Sequence, residues 1–367
     1  MAGRKRYRVE AIPNKGRGVR ADVEEIKPGT EIMLETPLFS IPVTVHPNDW
    51  DSDAQEAWFD SERSGNTSTI ANAVHAFPPA DRALFDSLYA GDDPDLTAYD
   101  TDVARVERNY FSLPTPDYTA IRIVVFRETC FINHSCRPNA AVVQGGWEAA
   151  APDNRVIALT KIRKHDEITI DYCTNAQTYT TAHDRAQQFR NGPYKFTCDC
   201  VSCNANRRES DRNRAEMLLR RKQLALAEPA NGEVPKMAVP MAPRKVTGAL
   251  EWPPTVPFAY DKPLKEEAGK KMKNRDCEKR MWLAERQCEL LVAEGILDVR
   301  LAEAYHVLAK AYVRNENFQK ALAACGNGIA ILTATYGRRM HGRDLDEMDE
   351  TLREVCRLMR EKSKWFE

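Results

Sequence analysis

Phe131-Ile132-Asn133-His134-Ser135-Cys136-Arg137-Pro138-Asn139-Ala140 sets three polar side chains and a thiol in a row between two apolar runs, Ile121 to Phe126 and Ala140 to Val143. Alone, Asn, His and Ser in sequence read as a polar turn whose side chains satisfy neighbouring backbone groups. What lies downstream changes that reading. Phe196-Thr197-Cys198-Asp199-Cys200-Val201-Ser202-Cys203 holds three thiols within six residues, a spacing that suits one face of a tetrahedral zinc site with bonds of about 2.3 Å. A closed structural site needs a fourth ligand, and Cys136, Cys173 and Cys130 are the candidates. No histidine adjoins the cluster, which argues against an open, catalytic zinc. Coordination would contribute directly to folding a segment too short to build a core of its own.

The other cysteines read differently. Cys277, Met281, Ala284, Cys288 and Leu291 recur at alternating spacings of four and three, which makes one apolar helix face. Tyr305, Leu308, Ala309, Tyr312, Ala321, Cys325 and Gly328 then fit the spacing of a tetratricopeptide helix pair, with Leu352 to Met359 on a flanking helix. Cys277, Cys288, Cys325 and Cys356 are therefore core residues rather than ligands. Upstream of this helical region, eight prolines between Pro229 and Pro263 mark a semi-extended linker, preceded by a charged helix at 207–228.

The first part of the chain is strand-like. Val9 to Ile12 runs into the turn Asn14-Lys15-Gly16-Arg17-Gly18, and Lys27-Pro28-Gly29 makes a second turn before Glu31 to Leu34 and Leu38 to Val45. Residues 46–105 change character to acidic and small residues with helical periodicity, as expected of an inserted helical segment. Strands return at Ile121 to Phe126, Ala140 to Val143, Val156 to Leu159 and Glu167 to Tyr172. Lys plus Arg number 53 against 54 Asp plus Glu, a net charge of −1, so no whole-protein field draws the chain to nucleic acid or to a membrane. The runs Arg4-Lys5-Arg6 and Arg220-Arg221-Lys222 read as solvated faces. No stretch approaches the roughly 20 apolar residues of a membrane span, and Met1 to Arg8 lacks the apolar run of a signal peptide. The expectation is an intracellular protein of the nucleus, the cytoplasm or both.

The string from Phe131 to Ala140 resembles the signature of SET-domain protein lysine methyltransferases, particularly their SMYD-like and fungal branch. Lys15-Gly16-Arg17-Gly18 resembles the family's N-terminal Gly-x-Gly turn, Glu167-Ile168-Thr169-Ile170-Asp171-Tyr172 its Glu-x-x-x-x-Tyr strand, and Phe196 with Cys198, Cys200 and Cys203 its post-SET closure. These motifs cover residues 8–45 and 106–205, and the C-terminal repeat is similar to the helical tail of SMYD-type proteins. The resemblance implies an α+β fold: a β-rich SET domain over 1–175 with a helical insertion at 46–105, a zinc post-SET segment at 176–206, a helix and Pro-rich linker at 207–263, and an all-α TPR-like region at 264–367. It also implies pseudoknot-like threading, in which the strand bearing Tyr172 passes beneath the loop from Asn133 to Cys136, an arrangement rare among proteins.

The same resemblance assigns roles. Lys15, Gly16 and Arg17 would line the methionine end of S-adenosyl-L-methionine through backbone groups, and Asn109, Asn133 and His134 would hold that cofactor. Phe196 would cover it, Phe111 would line the lysine channel, and Tyr172 would be the catalytic tyrosine. The family's usual fourth zinc thiol selects Cys136 to join Cys198, Cys200 and Cys203. The implied partners are a protein or peptide substrate carrying a lysine and a protein partner on the C-terminal helices, with no membrane and no direct nucleic acid. One departure stands out: no cysteine precedes Cys130, so the zinc-binding MYND module that SMYD proteins insert in the SET domain is not expected. A catalytically silent SET-fold scaffold, binding peptides through its helical tail, is the alternative; retention of Tyr172, Asn133 and His134 argues against it.

Overall fold

The computed structural model describes residues 5–44, 68–91, 98–114, 120–145, 153–173, 177–191, 195–226, 274–336 and 343–363. Parts of the expected insertion (46–67 and 92–97) and the whole proline-rich segment fall outside these residues.

The N-terminal half is built from short strands. β1 (Tyr7–Ile12) and β2 (Gly16–Ala21) form an antiparallel hairpin in register from Tyr7 opposite Ala21 to Ile12 opposite Gly16. Asn14 and Gly16 turn the chain at positive φ, 62° and 70°, conformations that Asn and Gly tolerate best. β4 (Glu31–Glu35) pairs with β10 (Asp153–Ala158), which also pairs with β9 (Ala140–Gly145). β5 (Pro37–Thr44), β7 (Ala120–Phe126) and β6 (Tyr110–Pro114) make a second three-stranded sheet. β3 (Glu25–Ile26) and β11 (Ile162–Arg163) form a two-residue ladder. One core fills the space between these sheets, with Val19, Ile26, Ile132, Val156, Ile162 and Ile168 fully buried. The insertion belongs to that core. Ile70 and Val74 from the helix described over 68–75 (α1), Phe85 from α2 (Pro79–Asp86) and Val106 from α3 (Ala98–Asn109) are all buried in it.

The remaining sheet positions the site. Its order is β1-β2-β12-β8, where β12 is Glu167–Ile170 and β8 is only Asn133–His134. β12 runs antiparallel to β2 on one side and parallel to β8 on the other, with Thr169 opposite Asn133 and Ile170 opposite His134. Asn139 fastens this junction from both its amide ends: Nδ2 donates to the Glu167 carbonyl (2.8 Å) and Oδ1 accepts from Thr169 N (2.8 Å). Gly18 on β2 leaves the room needed, because a Cβ there would lie 2.5 Å from Ile12 Cγ1 and 2.6 Å from Asn133 Nδ2.

The C-terminal half is helical: α5 (Arg207–Leu226), α6 (Asn274–Ala293), α7 (Val299–Arg314), α8 (Phe318–Tyr336) and α9 (Arg343–Ser363), after a short α4 (Ala182–Asn191). Leu283, Leu290, Leu308, Ala309, Ala321 and Cys325 form a second core, to which α5 adds Met217 and Leu224. The helices on either side of the proline-rich segment thus share one core. Cys288 and Cys325 are buried in it, and Cys277 and Cys356 are half-buried on its helices. Of the run Arg220-Arg221-Lys222 only Lys222 is exposed, and the two arginines are half-buried rather than part of a solvated face. Their guanidiniums lie 4.3 Å from the Trp282 ring and 5.0 Å from the Tyr179 ring, where the planar cation stacks on the aromatic face.

The two halves meet through charge. Arg214 on α5 is fully buried and donates to Glu294 (3.0 Å) at the end of α6, to the Thr178 carbonyl (2.6 Å) and to the Cys136 carbonyl (2.8 Å). Glu294 also accepts from Ser210 Oγ (2.6 Å) and Asn213 Nδ2 (3.0 Å), so its oxygens are hydrogen-bonded although it is buried. α6 then ends in a glycine cap: Gly295 has φ +68°, and a Cβ on it would lie 2.5 Å from Arg137 of the signature loop.

Gly18→Ala should lower the stability of the full chain by about 1–3 kcal/mol, the usual cost of overpacking a filled core. Urea denaturation followed by tryptophan fluorescence checks it; an unchanged midpoint would show that Asn133 does not press on β2.

Candidate functional site

Four thiols converge between the signature loop and the Cys-x-Cys-x-x-Cys turn. The sulfurs of Cys136, Cys198, Cys200 and Cys203 all lie within 4.8 Å of one another, with Cys136 at 3.9 Å from Cys198 and 3.5 Å from Cys203. Sulfurs bound tetrahedrally at about 2.3 Å stand about 3.8 Å apart, so the donor set fits a closed zinc site. A second group, His134, Cys136 and Cys173, is equally compact. His134 Nδ1 accepts the Tyr172 backbone N–H at 2.9 Å, which leaves the proton of a neutral ring on Nε2, 3.2 Å from Cys136 Sγ, so neither nitrogen has a lone pair to spare for a metal. Cys130 is in neither group; its sulfur points to the Arg127 carbonyl at 3.7 Å.

The loop and the strand end lock together at His134 and Tyr172. The His134 side chain is wholly buried, and burial pushes its pKa down to about 4. The neutral ring therefore presents an acceptor nitrogen at pH 7, which explains why β12 ends at Ile170. Tyr172 N, two residues past the end of the strand, bonds to this side chain instead of a ladder. The Tyr172 phenol donates to the Ile132 carbonyl at 2.5 Å, so loop and strand end are joined in both directions. Around this pair stand Phe189 and Phe196, stacked on each other at 4.7 Å, with the His134 ring 4.6 Å and 5.8 Å from them and Tyr172 6.2 Å from Phe196.

The glycine turn joins the same assembly. Lys15 Nζ pairs with Glu167 (3.2 Å) on β12 and with Asp199 (3.0 Å) in the thiol turn. The Arg17 carbonyl accepts from Asn133 Nδ2 at 3.2 Å, and the same amide donates to Glu167 at 2.8 Å. Gly16 has nothing within 4 Å of where a Cβ would stand, so that side of the turn is open. The Arg17 guanidinium turns away, stacking over Phe131 at 4.1 Å and bonding to Ser87 of the insertion. Lys15, Arg17, Asn133, His134, Tyr172, Phe196 and the thiol turn are thus linked by direct contacts, with Gly16 between the first two. Asn109 and Phe111 enter from elsewhere. Asn109 closes α3 with its amide on the Tyr89 (2.9 Å) and Arg105 (2.7 Å) carbonyls, and Phe111 on β6 packs edge-on against Phe126 at 5.6 Å.

Three residues of the site escaped the sequence. Arg185 on α4 is fully buried and donates to the sulfurs of Cys136 (3.2 Å) and Cys203 (3.5 Å). Four thiolates around a divalent cation carry an excess of two negative charges, and a buried guanidinium offsets part of it. Phe189, one turn later on α4, supplies the stacking partner of Phe196. Arg214 holds the backbone of Cys136 itself. The only sequence signal was the spacing of four between Arg185 and Phe189, which places both on one helix face.

Residues 16–173 match the SET domain family. The chain is 28% identical over 108 residues to histone-lysine N-methyltransferase SMYD3 of Mus musculus, covering 29% of this chain and 23% of that protein. It is 28% identical over 163 residues to N-lysine methyltransferase SMYD2-A of Danio rerio, covering 44% and 32%. It is also 32% identical over 112 residues to SMYD2-B of the same fish, covering 30% and 24%. The chain thus spans about a quarter to a third of the length of these curated relatives. A solved structure from Plasmodium falciparum covers 47% of this chain and 97% of its own, at 18% identity and a TM-score of 0.23, which adds nothing on fold.

The thiol geometry predicts about one zinc per purified chain, a stoichiometry set by one closed four-ligand site. By metal analysis Cys200→Ser should lose it, whereas Arg185→Met should keep the metal but weaken its affinity by about 10–100-fold in a chelator competition. Metal-free, folded wild-type protein would contradict both.

Proposed function

Residues 16–173 being a SET domain similar to those of the SMYD lysine methyltransferases, we propose that this chain moves the methyl group of S-adenosyl-L-methionine to a lysine side chain of a protein. The observation that carries the proposal is the His134–Tyr172 lock, in which a neutral imidazole and a carbonyl fix a phenol beside an aromatic cluster. The surroundings fit the donor. The open side of Gly16, the Asn133 amide and the Phe196 ring belong to segments joined by Lys15 to Glu167 and Asp199. Lys15, Gly16 and Arg17 line its methionine end through backbone groups, Asn133 and His134 hold it, and Phe196 covers it. Asn109 joins them on the resemblance alone. When bound, this cofactor supplies an electrophilic methyl on a sulfonium.

The chain's own residues then have to deliver a neutral amine in line. Free lysine has a pKa near 10.4, so neutrality at pH 7 costs about 4.6 kcal/mol at about 1.36 per unit. A channel with Tyr172 at its end, to which Phe111 is assigned on the resemblance alone, would disfavour the ammonium by desolvation and reduce that cost. No dedicated general base is needed, because the lowered pKa of the amine in the channel lets its proton pass to solvent before the methyl is transferred. The Tyr172 hydroxyl, held by the Ile132 carbonyl, orients the amine, and loop carbonyls near Ile132 polarise the reacting centre. The gain comes from alignment and fixed dipoles.

Zinc held by Cys136, Cys198, Cys200 and Cys203 is structural in this reading, fixing the post-SET segment of 176–206 against the signature loop. The TPR-like helices of 264–367 offer a surface to a protein partner, and the protein works in the nucleus, the cytoplasm or both, without membrane or direct nucleic-acid binding.

Calorimetry with S-adenosyl-L-methionine and radiolabel transfer to candidate proteins test the proposal. Tyr172→Phe should bind the cofactor like wild type but turn over about 100-fold or more slowly, the scale expected when a positioned group is lost. Wild-type turnover in that variant would remove Tyr172 from the mechanism, and absence of cofactor binding in the wild type would favour a silent scaffold.

A further inference from the structure

We propose that Arg300, at the start of α7 in the helical C-terminal half, is a positioning residue for the chemistry at Tyr172. The role rests on the methyl-transfer reading above. Arg300 Nη1 donates to Asp171 Oδ2 at 2.8 Å and to Thr178 Oγ1 at 2.5 Å, and its Nε donates to Asp298, the N-cap of α7. Both members of the cross-domain pair are largely buried, with side-chain exposures of 7% for Arg300 and 11% for Asp171.

Asp171 is the residue immediately before the tyrosine, and its two oxygens do different work. Oδ2 faces Arg300; Oδ1 accepts the Cys173 backbone N–H at 2.9 Å and lies 3.7 Å from His134 Nδ1. Tyr172 therefore sits inside a short bridge: the carboxylate pins the peptide after it, and His134 pins its own N–H. Burial alone would favour a protonated Asp171, yet the Arg300 guanidinium and the Cys173 N–H hold its pKa below the usual carboxylate range. Remove the guanidinium and a buried carboxylate loses its cation. It must then take up a proton or swing toward water, and either change disturbs the bridge around Tyr172. Thr178 is the second anchor of the same segment, since Arg300 holds its hydroxyl while Arg214 holds its carbonyl. The stretch that follows the tyrosine is thus gripped by two arginines from two helices of the C-terminal half. α7 lies far along the chain, yet its first turn is part of the catalytic unit.

The test compares wild type, Arg300→Met and Arg300→Lys in the full chain, measuring kcat, KM, S-adenosyl-L-methionine affinity, zinc content and amide hydrogen exchange. Methionine keeps the length and apolar body of the side chain while deleting the charge. For Arg300→Met, kcat should fall on the order of a hundredfold, the scale of a slightly misplaced reacting group, while KM, cofactor affinity and zinc content stay within about threefold of wild type. Lysine should recover part of kcat. Exchange at the Tyr172 and Cys173 amides should quicken, with the β1–β2 hairpin unchanged. Equal kcat in all three proteins would overturn the proposal, as would a loss that tracks cofactor affinity or zinc content. If the wild type transfers no methyl group, the methyl-transfer reading fails; unchanged exchange at Tyr172 and Cys173 would separately refute the positioning role.

Discussion

Two residue pairs of parallel ladder, Asn133 with Thr169 and His134 with Ile170, carry the organisation of the N-terminal half. So short a parallel contact has little strength of its own. It holds because side chains complete it: Asn139 bonds to both Glu167 and Thr169, Ser135 N reaches the Ile170 carbonyl at 2.9 Å, and the buried His134 ring takes the Tyr172 N–H. The three side-chain bonds are partly buried, and losing one partner of a buried bond strands the other at a cost of about 1–3 kcal/mol. The residue types of the signature follow from that constraint. Asn at 139 is needed because one side chain must donate and accept at once, and a His at 134 that stays neutral is needed because its nitrogen replaces a backbone acceptor.

A second constraint is the handling of buried charge. Arg185, Arg214 and Arg300 are removed from solvent, and each ends on groups of the site: the Cys136 and Cys203 sulfurs, the Cys136 carbonyl with Glu294, and Asp171 with Asp298. Such pairs are costly to desolvate and contribute little net stability, but breaking one side of them costs about 3–5 kcal/mol. They therefore act as fasteners of fixed geometry between the helical half and the strands. The glycine cap at Gly295, pressed against Arg137, brings the same helices to the same loop.

The parts of this arrangement that were legible in the sequence are those whose chemistry is local. Three thiols in six residues announce a metal whatever the fold, and the strand from Glu167 carries its alternation in plain view. The glycine turn at Lys15 to Gly18 marked the hairpin. The partners of these motifs were another matter. Arg185, Arg214 and Arg300 lie on helices that carry other charged residues, where an arginine that will be buried looks like any that will be solvated. The pairing of Arg220 and Arg221 with Trp282 and Tyr179 was hidden for the same reason. Nor does the charged composition of α5 reveal that Met217 and Leu224 join a core completed by helices beyond the proline-rich segment. Fold and site were readable to the extent that neighbours in sequence are neighbours in space.

A crystal structure of the full chain with S-adenosylhomocysteine, with anomalous data at the zinc edge, bears most directly on the central claim. The expected result is one zinc among Cys136, Cys198, Cys200 and Cys203, and the ligand bounded by Gly16, Asn133 and Phe196 with the Tyr172 hydroxyl facing its sulfur. A metal elsewhere, or a ligand seated away from Tyr172, would contradict it.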